Sequence, residues 1–164
     1  MKKTVLLSAG FVAIVLTVLL LTIYHKDQAS REVKSDLGFR LISNDLIQLE
    51  GAIMFQMDNG WFDPNNVIEK VEDVKESIHI TMNVAGTLNE LSSEDEAVLT
   101  RLADYFERFP DYSGFPNHRL DQRELQRFEQ LRRKLREAGW GMKIGYSSDW
   151  DELIEKANKL MNSR

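Results

Sequence analysis

The chain of 164 residues has no cysteine. That removes disulfides, thiolate metal centres, a cysteine nucleophile and a lipoprotein anchor on Cys. Proline occurs only as Pro64, Pro110 and Pro116, and the mixed-charge segment 25–36 contains neither proline nor glycine. No acidic residue precedes Asp27, so 26 acids face 19 bases once Lys2 and Lys3 are set aside, and the chain beyond residue 24 carries about −7. A surface of that sign repels phosphate backbones, which sets nucleic acid aside as a partner. About 140 residues remain beyond the apolar start, enough for one domain with its own core.

What the chain does have is one long apolar run. Residues 4–24 (TVLLSAGFVAIVLTVLLLTIY) carry no charge. At about 1.5 Å per residue, a helix of this length covers the roughly 30 Å hydrocarbon core of a bilayer. Its hydroxyl residues Thr4, Ser8, Thr17 and Thr22 can bond back to their own helix. Lys2 and Lys3 flank one end, and Tyr24, His25 and Lys26 the other, where interfacial groups belong. A single transmembrane anchor from Thr4 to Tyr24 is therefore expected, after a cytoplasmic tail of residues 1–3.

Cleavage as a signal peptide fits less well. The run exceeds the usual apolar core of about 7–15 residues, and Asp27-Gln28-Ala29 puts a carboxylate where a cleavage site wants a small residue. Lys26, Arg31 and Lys34 bring the positive-inside count close to a tie. The short basic tail favours an N-terminus in the cytoplasm and an exported domain. Gly10-Phe11 lacks the setting of a type IV prepilin, with Val5-Leu6-Leu7 before it and Val15 where a Glu is needed. Ala9 and Ala13 form a small-xxx-small pair suited to helix pairing, and hence to a homodimer.

Beyond the anchor, residues 25–36 read as its helical extension and 37–164 as an α-helical domain. Val33, Leu37, Leu41, Leu46, Leu49, Ile53 and Met57 mostly step by three or four, and Asp58-Asn59-Gly60 reads as a stop. Asp63-Pro64 reads as an N-cap and first helical residue, opening a face of Val67, Val71, Val74, Ile78, Met82 and Ala85. Alternation of Ile78, Ile80, Met82 and Val84 offers a rival strand period. Residues 86–91 read as a connection.

The run Ser92-Ser93-Glu94-Asp95-Glu96 offers two overlapping capping boxes before Val98, Leu99, Leu102, Phe106 and Phe109, and Pro110 closes that segment. Asp121 with Glu124 opens the next, with Leu125, Phe128, Leu131, Leu135 and Ala138 on one face and Gly139 suited to the C′ position. Ser148 or Asp149 caps a last helix through Trp150, Leu153, Ile154, Ala157, Leu160 and Met161. The expected fold class is all-α: one N-terminal transmembrane helix and a soluble, antiparallel, bundle-like domain of four to five helices.

Chemistry-bearing constellations are sparse. Glu76 and His79 form one E-x-x-H pair, where a di-iron bundle needs two such pairs and two further glutamates. Asp111, Ser113 and His118 share a loop with Tyr112 and Arg119 but have no nucleophile elbow to hold them. Asp58, Asp63, Asn65 and Asn66 do not match the spacing of an EF-hand loop. Arg132, Arg133, Lys134 and Arg136 alternate with Glu124, Glu129 and Glu137, the pattern of a salt-bridged solvated face. No metal, cofactor or enzymatic activity is expected.

The two irregular loops, 110–120 and 139–146, hold aromatic residues that can anchor a partner at little entropic cost, or plug the ends of the bundle. They are Phe109, Tyr112 and Phe115 in one, and Trp140, Tyr146 and the adjoining Trp150 in the other. The expected function is that of a single-pass extracytoplasmic module in the cell membrane. It binds membrane lipid through residues 4–24 and another membrane or envelope protein through these aromatics, as a non-catalytic accessory or regulatory subunit. A helical sensor signalling through its one span is the alternative, and a membrane-tethered envelope hydrolase a third reading.

Overall fold

The computed structural model describes residues 2–112, 114, 119–145 and 147–163, with side chains from Ile14 onward. Among the described residues there are six α-helices: α1 (Lys2–Leu37), α2 (Asn44–Asp58), α3 (Asn65–Thr87), α4 (Ser93–Phe106), α5 (Gln122–Ala138) and α6 (Trp150–Asn162). A π-helical turn, Gly38–Ser43, joins α1 to α2. There is no strand among the described residues, so the chain is all-helical. The rival strand period over 78–84 is overturned. Helix α3 runs through it, with Ile78, Thr81 and Ala85 buried at helical spacing.

The backbone stays helical from Lys2 to Asp58, because Leu37 and Asn44 on either side of the π turn both keep right-handed helical angles. The apolar stripe has one step of five, from Leu41 to Leu46, and the π turn lies there. The wider bonding shows in the Asn44 N–H donating to the Phe39 carbonyl, and Ile42, not Leu41, is fully buried there, four residues before Leu46. Gly38 opens the turn against α6: a β-carbon there would meet Leu153 at 3.0 Å and Trp150 at 3.1 Å.

Helices α2 to α6 close into a ring around one core. Helix α2 packs on α3 and α5, α3 on α4, α4 on α6, and α6 on α5. Ser43 opposite Trp140 and Trp61 opposite Phe128 make α2 and α5 antiparallel. Asp95 opposite Trp150 and Arg101 opposite Asn158 make α4 and α6 parallel. A closed ring of five rods cannot alternate throughout, so one neighbouring pair must run the same way. The expected antiparallel bundle is corrected at that pair.

The helix ends follow local chemistry. Ser92 accepts from the Asp95 N–H at 3.0 Å, Asp121 and Glu124 form a complete capping box, and Asp149 caps α6. Gly139 takes a left-handed φ of 102°, and the Trp140 N–H returns to the Leu135 carbonyl at 2.8 Å, which turns the indole back onto the bundle. Helix α3 outlasts Gly86, where a connection is expected. Asn89, at φ 57°, makes the turn instead, with the Glu90 N–H on the Ala85 carbonyl at 3.0 Å.

Among the described residues no helix is long and apolar enough to cross a membrane. The described side chains of the apolar run begin only at Ile14, so the fold does not establish the span expected over Thr4 to Tyr24. Thr22 does bond back to its own helix, at 2.8 Å on the Val18 carbonyl. Gly38→Val is expected to lower stability by about 1–3 kcal/mol by overpacking the contact with α6. An unchanged urea midpoint would show that α6 does not seat on this turn.

Candidate functional site

Of the two readings of the six loop aromatics, the plug reading fits three positions, which are therefore corrected as candidates for a partner surface. Phe109 is buried among Tyr105, Phe106 and Phe128, the last with ring centroids 5.1 Å apart. Trp140 is the largest fully buried side chain, and its Nε1 donates to Ser43 Oγ at 3.4 Å. Trp150 is also buried and donates to Asp95 Oδ2 at 2.9 Å. The reason is that Trp140 follows a helix-reversing glycine and Trp150 opens an amphipathic helix, so both point inward. Tyr112 is exposed, while Phe115 and Tyr146 lie outside the described residues.

Two of these aromatics instead hold the long helix where it enters the ring. Lys34 near the end of α1 lies 4.8 Å from the centre of the Trp150 ring. Its Nζ donates to the Glu90 carbonyl at 2.9 Å and stands 4.0 Å from Asp95, while Arg31 reaches Glu90 at 4.0 Å. Gly38 then meets Trp150, and Ser43 meets Trp140. Four residues of one continuous helix, Arg31, Lys34, Gly38 and Ser43, thereby touch Glu90 before α4, the starts of α4 and α6, and Trp140 just after α5.

Further along, Glu50 on α2 has no exposure at all. Arg132 Nε donates to its Oε1 at 2.9 Å, Arg136 reaches the same oxygen at 3.3 Å, and the Met142 N–H donates to Oε2 at 2.8 Å. The basic face of α5 is therefore not simply solvated. Two of its arginines turn inward to one carboxylate, and Lys134 donates to the Ser163 carbonyl. Glu50 was readable in principle, since it lies four residues after Leu46 and three before Ile53, inside the apolar stripe.

Two other buried polar contacts bind α3 to its neighbours. Ser77 donates to Asp45 of α2, whose carboxyl is pushed up mainly by burial, with Asp73 adding to the effect and Ser77 opposing it. Lys75 lies 2.8 Å from Glu72, 3.3 Å from Asp111 and 3.6 Å from Glu107. Burial pushes its ammonium down, but these carboxylates outweigh that and raise it.

Catalytic geometry is not assembled by these groups. Glu76 and His79 both face solvent on α3, and no cluster of three metal-ligating side chains occurs among the described residues. Ser113 and His118 lie outside the described residues. Asn65 is used structurally, donating to the Gly114 carbonyl at 2.7 Å. One exposed aromatic pair escaped the sequence reading: Phe55 on α2 and Phe62 in the turn after it, in edge contact at 6.0 Å. Its signal, one aromatic on the polar side of a helix and one in a turn, is indistinct without the fold.

Glu50→Ala would leave two guanidinium groups facing a cavity. It is expected to cost about 3–5 kcal/mol in chemical unfolding; a loss below about 1 kcal/mol would mean that solvent already serves the arginines. Asp45 carries the opposite sign. Its raised folded-state pKa gives stability that is present below the ordinary carboxyl value of 3.8 and is lost as pH rises through the folded value. Asp45→Asn, which keeps an acceptor for Ser77, should therefore flatten the fall in stability across that window; an unchanged pH profile of the thermal midpoint would refute this. Comparison with family models, with curated proteins and with solved structures gives no match for the chain.

Proposed function

We propose that this protein is a membrane-anchored accessory or regulatory subunit without catalysis, holding its helical ring on the extracytoplasmic side and binding another membrane or envelope protein. The observation that supports this most is the state of α1 outside the ring. Every residue from 14 to 24 is exposed, and all but Thr17 and Thr22 are apolar or aromatic. A helix that is apolar all round requires apolar surroundings, which the ring does not supply. Lipid around residues 4–24 supplies them, with the N-terminus in the cytoplasm. The clamp of Lys34 and Gly38 on Trp150 makes the ring a fixed continuation of the anchor.

The partner surface in this reading moves from the buried loop aromatics to the exposed ones. Phe55 and Phe62 stand roughly 45 Å beyond Tyr24 along the helix, at about 1.5 Å per residue, and Tyr112 is exposed as well. The sensor reading draws on a separate observation. The π turn contacts both α3 and α6, so movement of the anchor would reach two walls of the ring.

Alkaline carbonate extraction and site-specific photocrosslinking from positions 55 and 62 in native membranes test the proposal together. The protein is expected to stay with the membrane and to capture one distinct protein. Release by carbonate would remove the anchor, and adducts with nothing but other copies of the chain would remove the accessory role.

A further inference from the structure

The ring has a notch where its shortest helix stops. Asp95 pairs with Trp150 and Arg101 with Asn158 along the parallel helices, so α6, which ends at Asn162, ends about level with Tyr105. Beyond that level no helix among the described residues fills the space between the end of α4 and the flank of α5. A cleft of about 490 Å³ opens there, lined by Tyr105, Arg108, Phe109, Arg127, Leu131 and Lys134 among others. Phe109, in contact with Phe128, forms its floor.

We propose that this notch binds a small amphiphilic anion: an aryl or acyl group ending in a carboxylate, its body on Phe109 and Leu131 and its charge among Arg108, Arg127 and Lys134. The charge pattern is the first support. In a chain of net charge −5, three cations line the cleft and no acidic side chain does. None of the three is ion-paired with a carboxylate among the described residues. Arg108 lies over the Tyr105 ring at 5.2 Å, Arg127 donates to the Arg108 carbonyl at 3.0 Å, and Lys134 donates to the Ser163 carbonyl. These contacts hold the side chains in place without a carboxylate at ion-pair distance among the described residues, although Arg127 is near enough to Asp121 to help lower that carboxyl.

The phenol of Tyr105 is the second support. The residue is only 9% exposed and lines the cleft. Burial pushes the phenol's pKa up, with Arg108 opposing, so at neutral pH it stays protonated and can donate to an incoming carboxylate. Size is the third. The cleft falls within the roughly 300–1,000 Å³ of small-molecule sites. The assignment does not rest on the anchor or on the accessory role.

The test is titration of the full-length chain by NMR, following the Tyr105 ring and the Arg127 side chain, with protein-free buffer of the same lipid content as the blank. The probes are 2-naphthoate and decanoate, which separate an aryl from an acyl source, and neutral 2-naphthamide. One of the two acids is expected to give saturable one-to-one shifts at these residues, with the amide at least about tenfold weaker. Arg127→Gln with Lys134→Gln should weaken the acid at least about tenfold, and Arg127→Lys should retain most of it. Mapping on the unaltered chain covers the case in which the double variant fails to fold. The proposal is overturned if neither acid saturates, if the amide binds as well, if the folded double variant binds as well, or if an acidic peptide binds and both acids do not.

Discussion

A carboxylate shut away from water is tolerable only when cations and N–H groups surround it, and Glu50 imposes that condition on half of the molecule. Its two oxygens are satisfied by residues from two places: Arg132 and Arg136 on α5, and the backbone of Met142 in the loop beyond. Sliding α5 along α2 by one turn would withdraw one of the two guanidinium groups and carry the Met142 N–H away from the other oxygen. The hydrophobic contacts on either side, Trp61 with Phe128 and Leu49 or Ile53 within the core, would tolerate such a shift far better, since apolar packing is not directional. The ion cluster therefore selects the register, while the apolar area supplies the stability.

That register has consequences along the loop. Once α5 is placed, Gly139 reverses the chain and Trp140 enters the core beside Ser43. Met142 then lies over Gly51, where a β-carbon would approach its side chain to 3.1 Å. The loop thus returns across α2 and delivers Trp150 to Gly38, the start of the π turn. Running α6 parallel to α4 follows from this delivery point. An odd-numbered ring must contain a parallel pair, and the long connections before and after α5 allow it to fall at α4 and α6.

Much of the fold was legible because caps and periods are local. Asp121 with Glu124, Asp149 and Gly139 mark helix ends as the sequence suggests, whereas Ser92 caps α4 without the expected reciprocal capping box and Pro64, not Asp63, holds the N-cap position of α3. What was not legible depends on distant partners. The step of five from Leu41 to Leu46 is visible in the sequence, but it does not show that the register shifts there so that Ile42, and not Leu41, is fully buried. Trp140 and Trp150 sit beside glycines and polar residues, which in sequence resembles an exposed loop. Their burial depends on Ser43, Gly38 and Asp95, more than fifty residues away. Arg132 and Arg136 read as solvated because their nearest acids in sequence are on their own helix, whereas the acid they hold is on α2.

The notch between α4 and α5 raises an electrostatic question that the net charge answers wrongly. A molecule of net charge −5 should repel small anions. At physiological salt, however, the screening length is about 8 Å, comparable to the width of one helix. An anion in the cleft therefore responds to the cations lining it, with little influence from acids on the far side of the ring. The acidic cluster of Glu72, Glu107 and Asp111 is engaged with Lys75. Binding there is set by Arg108, Arg127 and Lys134 at contact distance, and long-range repulsion slows approach more than it weakens the bound state.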